Sequence, residues 1–114
     1  MSKTRVLQPG DLLKIDFDPQ AGHEQAGWRP ALVVSEAAYN DRSNLALVCP
    51  VTNQAKGYPF EVPLPEGCAI QGVVLADHVK CADVKVRGAK HVGVAPKEVL
   101  DAVRAYIALL IAVK

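Results

Sequence analysis

The chain has 114 residues, of which 50% are hydrophobic and 22% are charged, so it is long enough for one globular domain with a single core. Its formal net charge of +1 excludes the overall basic field of many nucleic-acid-binding proteins, so any site for a polyanion must be a local patch. The longest apolar run is too short to span a bilayer, the first residues do not predict a secretory signal, and three cysteines without CxxC spacing fit a reducing cytoplasm.

In chain order, the first three strands are predicted from the period of their apolar residues. Residues 12–17 alternate between apolar and polar side chains, which indicates a half-buried strand. Residues 29–35 form a second strand that is apolar on both faces, and residues 36–43 form a helical turn and a loop. The third strand, residues 45–51, is expected to end or bulge at Pro50, because proline donates no hydrogen bond to a ladder.

Three further strands are predicted over residues 59–64, 72–79 and 84–87. Gly88 and Gly93 follow the last of them and suggest a bent or bulged edge. About six short strands before a terminal helix predict a small, mostly antiparallel barrel or a partly closed sheet, in a single domain over residues 1–114.

The last predicted element is a helix that begins at Pro96, a residue that suits a first helical turn. One apolar stripe and a row beside it consist of Val99, Val103, Tyr106 and Leu110, and of Leu100, Ile107 and Ile111. Residues 105–113 are apolar nearly all round, and a small β domain cannot bury every side of a terminal helix. We therefore infer a homodimer through the remaining face. The simpler alternative is a helix half covered by strands, with some exposed apolar side chains.

Cysteines and histidines do not predict a metal or cofactor site. The cysteines are interpreted as small apolar fillers of the core: Cys49, Cys68 and Cys81. The histidines lack the spacing of zinc ligands: His23, His78 and His91.

The loop of residues 22–30 carries more chemical groups than a connector needs. It includes an imidazole, a carboxylate, an amide, an indole and a guanidinium, on His23, Glu24, Gln25, Trp28 and Arg29. Pro30 biases Arg29 toward an extended backbone, so Arg29 is expected where the loop ends and the second strand begins. Polar loops tied to rigid strands often hold catalytic groups, although loop statistics alone would favour a solvated hairpin.

Three segments together carry a resemblance to a known family. They are Gly22-x-Glu24-Gln25-x-Gly27-x-Arg29-Pro30, then Pro50-x-Thr52 followed by Lys56-Gly57-Tyr58-Pro59-Phe60-Glu61, and then Gly72-Val73-x-Leu75-Ala76-Asp77-x-Val79-Lys80. With these segments in this order and spacing, the chain resembles the MazF/PemK toxin endoribonucleases from about Gly10 to the end of the helix.

The resemblance implies a mostly β fold with a C-terminal helix, an SH3-like small barrel of the CcdB/PemK/MazF type, as a homodimer. It also implies sequence-specific cleavage of single-stranded RNA without metal or cofactor, leaving 2′,3′-cyclic phosphate and 5′-hydroxyl ends. A cognate antitoxin similar to MazE would block the RNA groove with a disordered tail.

The same resemblance assigns catalysis to Arg29 and Thr52. Arg29 offers a planar, permanently charged fork that matches phosphate geometry, and Thr52 offers a hydroxyl donor. An arginine pKa above about 12 makes a neutral guanidine rare at neutral pH, so Glu24 is our hypothesis for the group that assists removal of the 2′ proton. The alternative readings are a surface salt bridge for Arg29, with Glu24 as the candidate partner, and a turn hydroxyl for Thr52.

RNA contacts are expected at nine further positions: Phe17, Gly22, Gln25, Trp28, Asn53, Lys56, Asp77, His78 and Lys80. Relatives often carry histidine in place of Trp28 and glutamine in place of His78, so we expect these two residues to alter which bases are read. A packing role for Trp28 and an ordinary polar strand end at His78 are equally consistent with the sequence.

Two other functions stay open at this point. One is a non-catalytic toxin that binds a protein target such as gyrase, as CcdB does, and the other is a family member that binds RNA without cutting it. Retention of Glu24, Arg29 and Thr52 within their motifs favours the nuclease, because a gyrase binder would not need that set.

Overall fold

The computed structural model describes residues 6–16, 28–84 and 88–112. These ranges contain seven strands: β1 (Asp11–Asp16), β2 (Trp28–Val33), β3 (Leu45–Thr52), β4 (Glu61–Pro63), β5 (Val73–Leu75), β6 (Lys80–Asp83) and β7 (Lys90–Val94). Helix α1 (Ala37–Ser43) joins β2 to β3, and helix α2 (Lys97–Ile111) follows β7. A single 3₁₀ turn, Ala76–His78, lies between β5 and β6.

All of the strand pairs are antiparallel, and β3 is the strand on which the sheet is built. One edge of β3 pairs with β2, while its other edge pairs first with β6 and then with β5. The pairing path runs β4-β5-β3-β2-β1-β7, and no pair in the described part of the chain joins β4 to β7. The predicted mostly β fold with a C-terminal helix is therefore confirmed, but the described sheet is open between β4 and β7 and does not close into the predicted small barrel.

The sheet separates two clusters of buried residues, because alternate side chains of a strand point to opposite faces. Leu12 and Leu32 belong to the cluster that also contains Val99 and Val103 of α2. Leu13 and Ala31, their neighbours along β1 and β2, belong to the second cluster. Along β2, the face that carries Val33 and Ala31 in the second cluster continues to Arg29, which is exposed near the start of the strand.

Pro50 does not end or bulge the third strand, so that prediction is wrong. β3 continues to Thr52, and Pro50 lies in register opposite Ala31 of β2. On the other edge, pairing with β6 stops at Val48 and pairing with β5 starts at Val51. Neither β6 nor β5 pairs with β3 at Pro50. The proline, which has no backbone N–H, therefore removes no ladder hydrogen bond on this edge of β3.

The predicted strands after residue 72 need correction. The fifth strand ends at Leu75, because the chain turns there into the 3₁₀ segment instead of continuing to residue 79. The sixth lies at Lys80–Asp83, Val84 is in a turn, and residues 85–87 lie outside the described ranges. The bulge expected near Gly93 is confirmed by a register shift between β1 and β7.

Helix α2 begins directly after Pro96, as predicted, and buries Val99, Leu100 and Val103 against the sheet. Tyr106 packs edge-on against Phe60, with ring centroids 5.5 Å apart. The end of the helix lies beyond this core, and the exposed fractions of Leu109, Leu110 and Ile111 are 67%, 45% and 69%. Neither described helix is long and apolar enough to cross a membrane.

The cysteines differ in environment. Cys49 is fully buried, and its burial, with a smaller contribution from the negative charge of Asp77, raises the pKa of the thiol to about 12. This confirms Cys49 as an inert filler. The same prediction is wrong for Cys81, which is exposed on β6, with its Sγ 3.7 Å from the hydroxyl of Tyr39. Cys81 lies opposite Leu47 of β3, which is also exposed, and alternation turns both side chains away from Ala82 and the second cluster.

Candidate active site

The register between β2 and β3 brings Arg29 and Thr52 together. Ala31 lies opposite Pro50, and continuing this antiparallel register by two residues places Arg29 opposite Thr52. Directly opposed residues project to the same face of a sheet. Both side chains line one cleft at this end of the sheet.

The cleft has a volume of about 390 Å³. The residues that line it come from β2, β3, the loop after β3, β4, β5 and the segment before and at the start of β6: Arg29, Pro50, Val51, Thr52, Gln54, Lys56, Tyr58, Glu61, Leu75, His78 and Lys80. The structure therefore brings together five residues that the sequence singled out. They are Arg29, Thr52, Lys56, His78 and Lys80.

Arg29 lies at the solvent-exposed end of a row of side chains that is otherwise buried. Strand alternation puts it on the same face as Ala31 and Val33, which are fully buried, whereas Arg29 is exposed. Its side chain makes no ion pair or hydrogen bond with another residue of the described ranges. The alternative partner Glu24 lies outside those ranges, so the salt-bridge reading stays untested. The guanidinium thus stands on a rigid strand and faces the open cleft.

Thr52 is held from two sides. Its Oγ1 accepts a hydrogen bond from the backbone N–H of Gln54, at 3.1 Å, so the turn role considered from sequence is present. A hydroxyl that accepts one such bond still has its own proton to donate into the cleft.

The backbone of Gly72, the residue before β5, lies directly against the backbone of Thr52. Gly72 has φ +126°, and a Cβ atom there would lie 2.2 Å from the carbonyl oxygen of Thr52. Only glycine combines this backbone conformation with such a close approach. The third motif of the sequence therefore fixes the position of the threonine in the second.

The segment between β5 and β6 delivers His78 and Lys80 to the cleft. His78 ends the 3₁₀ turn, and Lys80 begins β6 in register with Val48. The Nε2 atom of His78 lies 3.9 Å from a carboxylate oxygen of Asp77, but both side chains are about half exposed. Such an exposed pair contributes little to stability. Asp77 does not itself line the cleft.

Trp28 lies outside the cleft lining. Alternation along β2 turns its indole to the face opposite Arg29, where the Nζ atom of Lys90 lies 5.7 Å from the ring centroid. Its side chain remains 39% exposed, so an RNA contact at Trp28 stays a prediction. Asn53 is exposed beside Thr52 but does not line the cleft. The remaining predicted site residues lie outside the described ranges: Phe17, Gly22, Glu24 and Gln25.

Sequence reasoning missed Gln54, Tyr58 and Glu61 as cleft residues. Tyr58 and Glu61 stand inside the second motif, so their presence in that motif was the available signal. The position of Tyr58 was not predictable from it, because the loop of residues 53–60 has no strand periodicity that would assign this side chain to a face. Tyr58 is 63% exposed, which leaves its ring open to a ligand.

The charges around the cleft are unequal. Of the lining residues in the described ranges, Arg29, Lys56 and Lys80 supply three cations and Glu61 supplies one carboxylate. On a chain of net charge +1, this is the local basic patch that the composition required for binding a polyanion. Nowhere in the described ranges do three or more His, Cys, Asp or Glu side chains form a group that is able to hold a metal ion.

Comparison with known proteins agrees with this arrangement. Residues 8–111 match the family described as the PemK-like, MazF-like toxin of type II toxin–antitoxin systems. The chain is 48% identical to the endoribonuclease toxin MazF of Escherichia coli K12 over 106 residues, 93% of this chain and 95% of that protein.

Solved structures extend the similarity to the whole fold. MazF of Deinococcus radiodurans has a TM-score of 0.86 and 49% identity, covering 96% of this chain and 100% of that one. A MazE–MazF structure from the same organism has a TM-score of 0.87 and 46% identity, with the same coverage. The chain belongs to the PemK-like, MazF-like family of toxins of type II toxin–antitoxin systems.

Proposed function

We propose that this protein is an endoribonuclease toxin that cleaves single-stranded RNA in the cleft between β2, β3 and the loop of residues 53–60. The observation that carries the proposal is the shared cleft of Arg29 and Thr52, lined by two further cations. The names of the relatives, endoribonuclease toxins among them, support the same activity.

In the proposed reaction, the ribose 2′ oxygen attacks the adjacent phosphorus as the 2′ proton leaves. The new bond joins phosphorus to O2′, the bond between phosphorus and O5′ breaks, and O5′ takes up a proton from solvent water. The products are a 2′,3′-cyclic phosphate and a 5′-hydroxyl. Negative charge builds on the non-bridging oxygens in the transition state, and the guanidinium of Arg29 with the hydroxyl of Thr52 stabilises it there.

The proton acceptor is a separate question. A guanidinium has no lone pair with which to accept a proton, and arginine stays protonated in proteins. We therefore keep Glu24, in the loop that leads into Arg29, as the group that assists removal of the 2′ proton. His78 lies at the cleft and reads or orients the nucleotides in this scheme.

RNA binding follows from the distribution of charge. Lys56 and Lys80 flank the reacting phosphate and bind its neighbours, so affinity should fall steeply with salt. The scheme requires no metal or cofactor. We infer that the protein acts on messenger RNA in the cytoplasm.

Two partners complete the proposal. The Deinococcus radiodurans structure holds MazF together with MazE, so we infer that an antitoxin of that kind covers the cleft of this protein and blocks RNA. A second copy of the chain covers the exposed apolar end of α2, where Leu109, Leu110 and Ile111 otherwise face solvent.

Incubating the pure protein with single-stranded RNA in EDTA tests the activity directly. Cleavage at fixed sequences, with cyclic phosphate and 5′-hydroxyl ends, is the expected result, and mapping the 5′ ends identifies the bases that are read. The same RNA annealed to its complement serves as the control and should stay intact. Binding without cleavage would contradict the nuclease proposal, and indifference to RNA would favour a toxin that acts on a protein.

A further inference from the structure

Glu61 is unexpected at the cleft. Among the described residues that line the cleft it is the one carboxylate, and its charge opposes the binding of RNA phosphates. A negative group at such a site needs a structural reason, since its removal would by electrostatics alone strengthen binding. The hydrogen bonds of Glu61 supply that reason.

The carboxylate of Glu61 accepts hydrogen bonds from two successive backbone N–H groups. Oε1 accepts from Lys56 at 3.2 Å and from Gly57 at 3.0 Å, and Oε2 accepts from Lys56 at 3.1 Å. Gly57 has φ +78°, a conformation that helps to aim consecutive N–H groups at one anion. The carboxylate of Glu61 thus binds the backbone of the adjacent loop, residues 53–60.

These bonds hold the loop on both sides of Tyr58. Lys56 and Gly57 precede the tyrosine, and the N–H of Glu61 itself donates to the carbonyl of Tyr58 at 3.2 Å. The tyrosine ring is 63% exposed and lines the cleft. A ring that is exposed while its backbone is fixed loses little entropy when a flat partner binds to it.

We propose that Glu61 is a positioning residue that holds Tyr58 as a stacking surface for one unpaired base of the RNA substrate. The inference rests on the proposed endoribonuclease function and deepens it by assigning a base contact. Every nucleobase has an aromatic face, so an exposed tyrosine beside a phosphate-binding cleft suits a single-stranded substrate.

The position of Glu61 predicts which kinetic constant it governs. Arg29 and Thr52 lie on β2 and β3, whose pairing does not depend on the loop of residues 53–60. Loss of the carboxylate should therefore raise KM and leave kcat nearly unchanged. This is the pattern expected when the lost interaction, here the base contact, is equally strong in the ground state and in the transition state. A purely electrostatic role predicts the opposite sign, a lower KM.

The test measures cleavage kinetics for Glu61→Ala, Glu61→Gln, Tyr58→Ala and the double alanine variant. Tyr58→Ala and Glu61→Ala should each raise KM about five- to a hundredfold, with the double variant close to the larger single effect, because both act through one base contact. Glu61→Gln keeps one carbonyl acceptor and should lie between wild type and alanine. The matched control is Glu66→Ala, an exposed carboxylate in the turn before β5 that does not line the cleft.

A second measurement follows the loop without using activity. Amide hydrogen exchange of Lys56 and Gly57 should accelerate in Glu61→Ala and stay unchanged in Glu66→Ala. A lower KM in Glu61→Ala, strictly additive effects in the double variant, or unaltered exchange would each overturn the positioning role. Wild-type protein that leaves RNA intact would instead overturn the proposed function, and this inference with it.

Discussion

The two sides of the cleft are built in different ways. Arg29 and Thr52 stand on paired strands whose neighbouring side chains are buried in the two cores. Lys56 and Tyr58 stand on the loop of residues 53–60, in which the N–H groups of Lys56 and Gly57 are held by the side chain of Glu61. The strand side carries the groups proposed for chemistry, and the loop side carries the groups proposed for recognition.

This difference follows from what each task tolerates. A group that stabilises a transition state must be held within about 0.5 Å of its productive position, which strands achieve better than loops. A group that binds phosphate or stacks on a base tolerates more movement, since its contact area is broad. Substitutions on the strand side should therefore lower kcat, and substitutions on the loop side should raise KM or weaken binding.

The largest effect is expected for Arg29→Lys on the strand side. Lysine keeps the positive charge but lacks the planar fork, so kcat should fall about a hundred- to a thousandfold while KM changes little. Single-turnover cleavage of a short RNA measures this. Arg42→Lys, an exposed arginine on α1, is the matched control. Near-normal turnover in Arg29→Lys would show that the bidentate geometry is not used.

A smaller but distinct effect is expected for Gly72→Ala, which disturbs the strand side through the backbone of Thr52. The added Cβ would overlap the carbonyl of Thr52, so the free energy of unfolding should fall by about 3 kcal/mol and kcat should fall as Thr52 moves. Gly67→Ala is the matched control, since Gly67 also has positive φ, at +95°, but a Cβ there meets nothing within 4 Å.

Thermal unfolding and cleavage of both glycine variants separate backbone strain from the contact. Gly67→Ala should lose about 1 kcal/mol from strain alone and keep full activity. Equal destabilisation in the two variants, with equal activity, would mean that the close approach of Gly72 does not position Thr52.

The smallest effect is expected for Lys56→Gln on the loop side. The backbone N–H that binds Glu61 is retained, so the loop should keep its shape and only one phosphate contact should be lost. The slope of log affinity against log salt should then fall by about 0.7, the value for one contact to a single strand. Lys97→Gln on α2, which pairs with Asp101 and does not line the cleft, should leave the slope unchanged.

Much of the fold was accessible from sequence. β1 up to Asp16, the apolar second strand and the helix after Pro96 were predicted, because period and turn residues are local properties. The errors arose where tertiary pairing overrides a local signal. Pro50 lies inside β3 because that edge changes partner there, and the sixth strand lies at Lys80–Asp83, where it pairs with β3, ahead of the residues whose alternation predicted it.

Sequence alone determined the two-faced strands, the apolar terminal helix and the supply of a guanidinium, a hydroxyl and several lysines in three motifs. Only the tertiary structure decided that Arg29 and Thr52, from separate motifs, meet in one cleft, because antiparallel register is set between strands and not within them. It also decided that Glu61 binds its own loop and that Gly72 touches the carbonyl of Thr52. The local sequence pattern around the residues that make these contacts does not predict them.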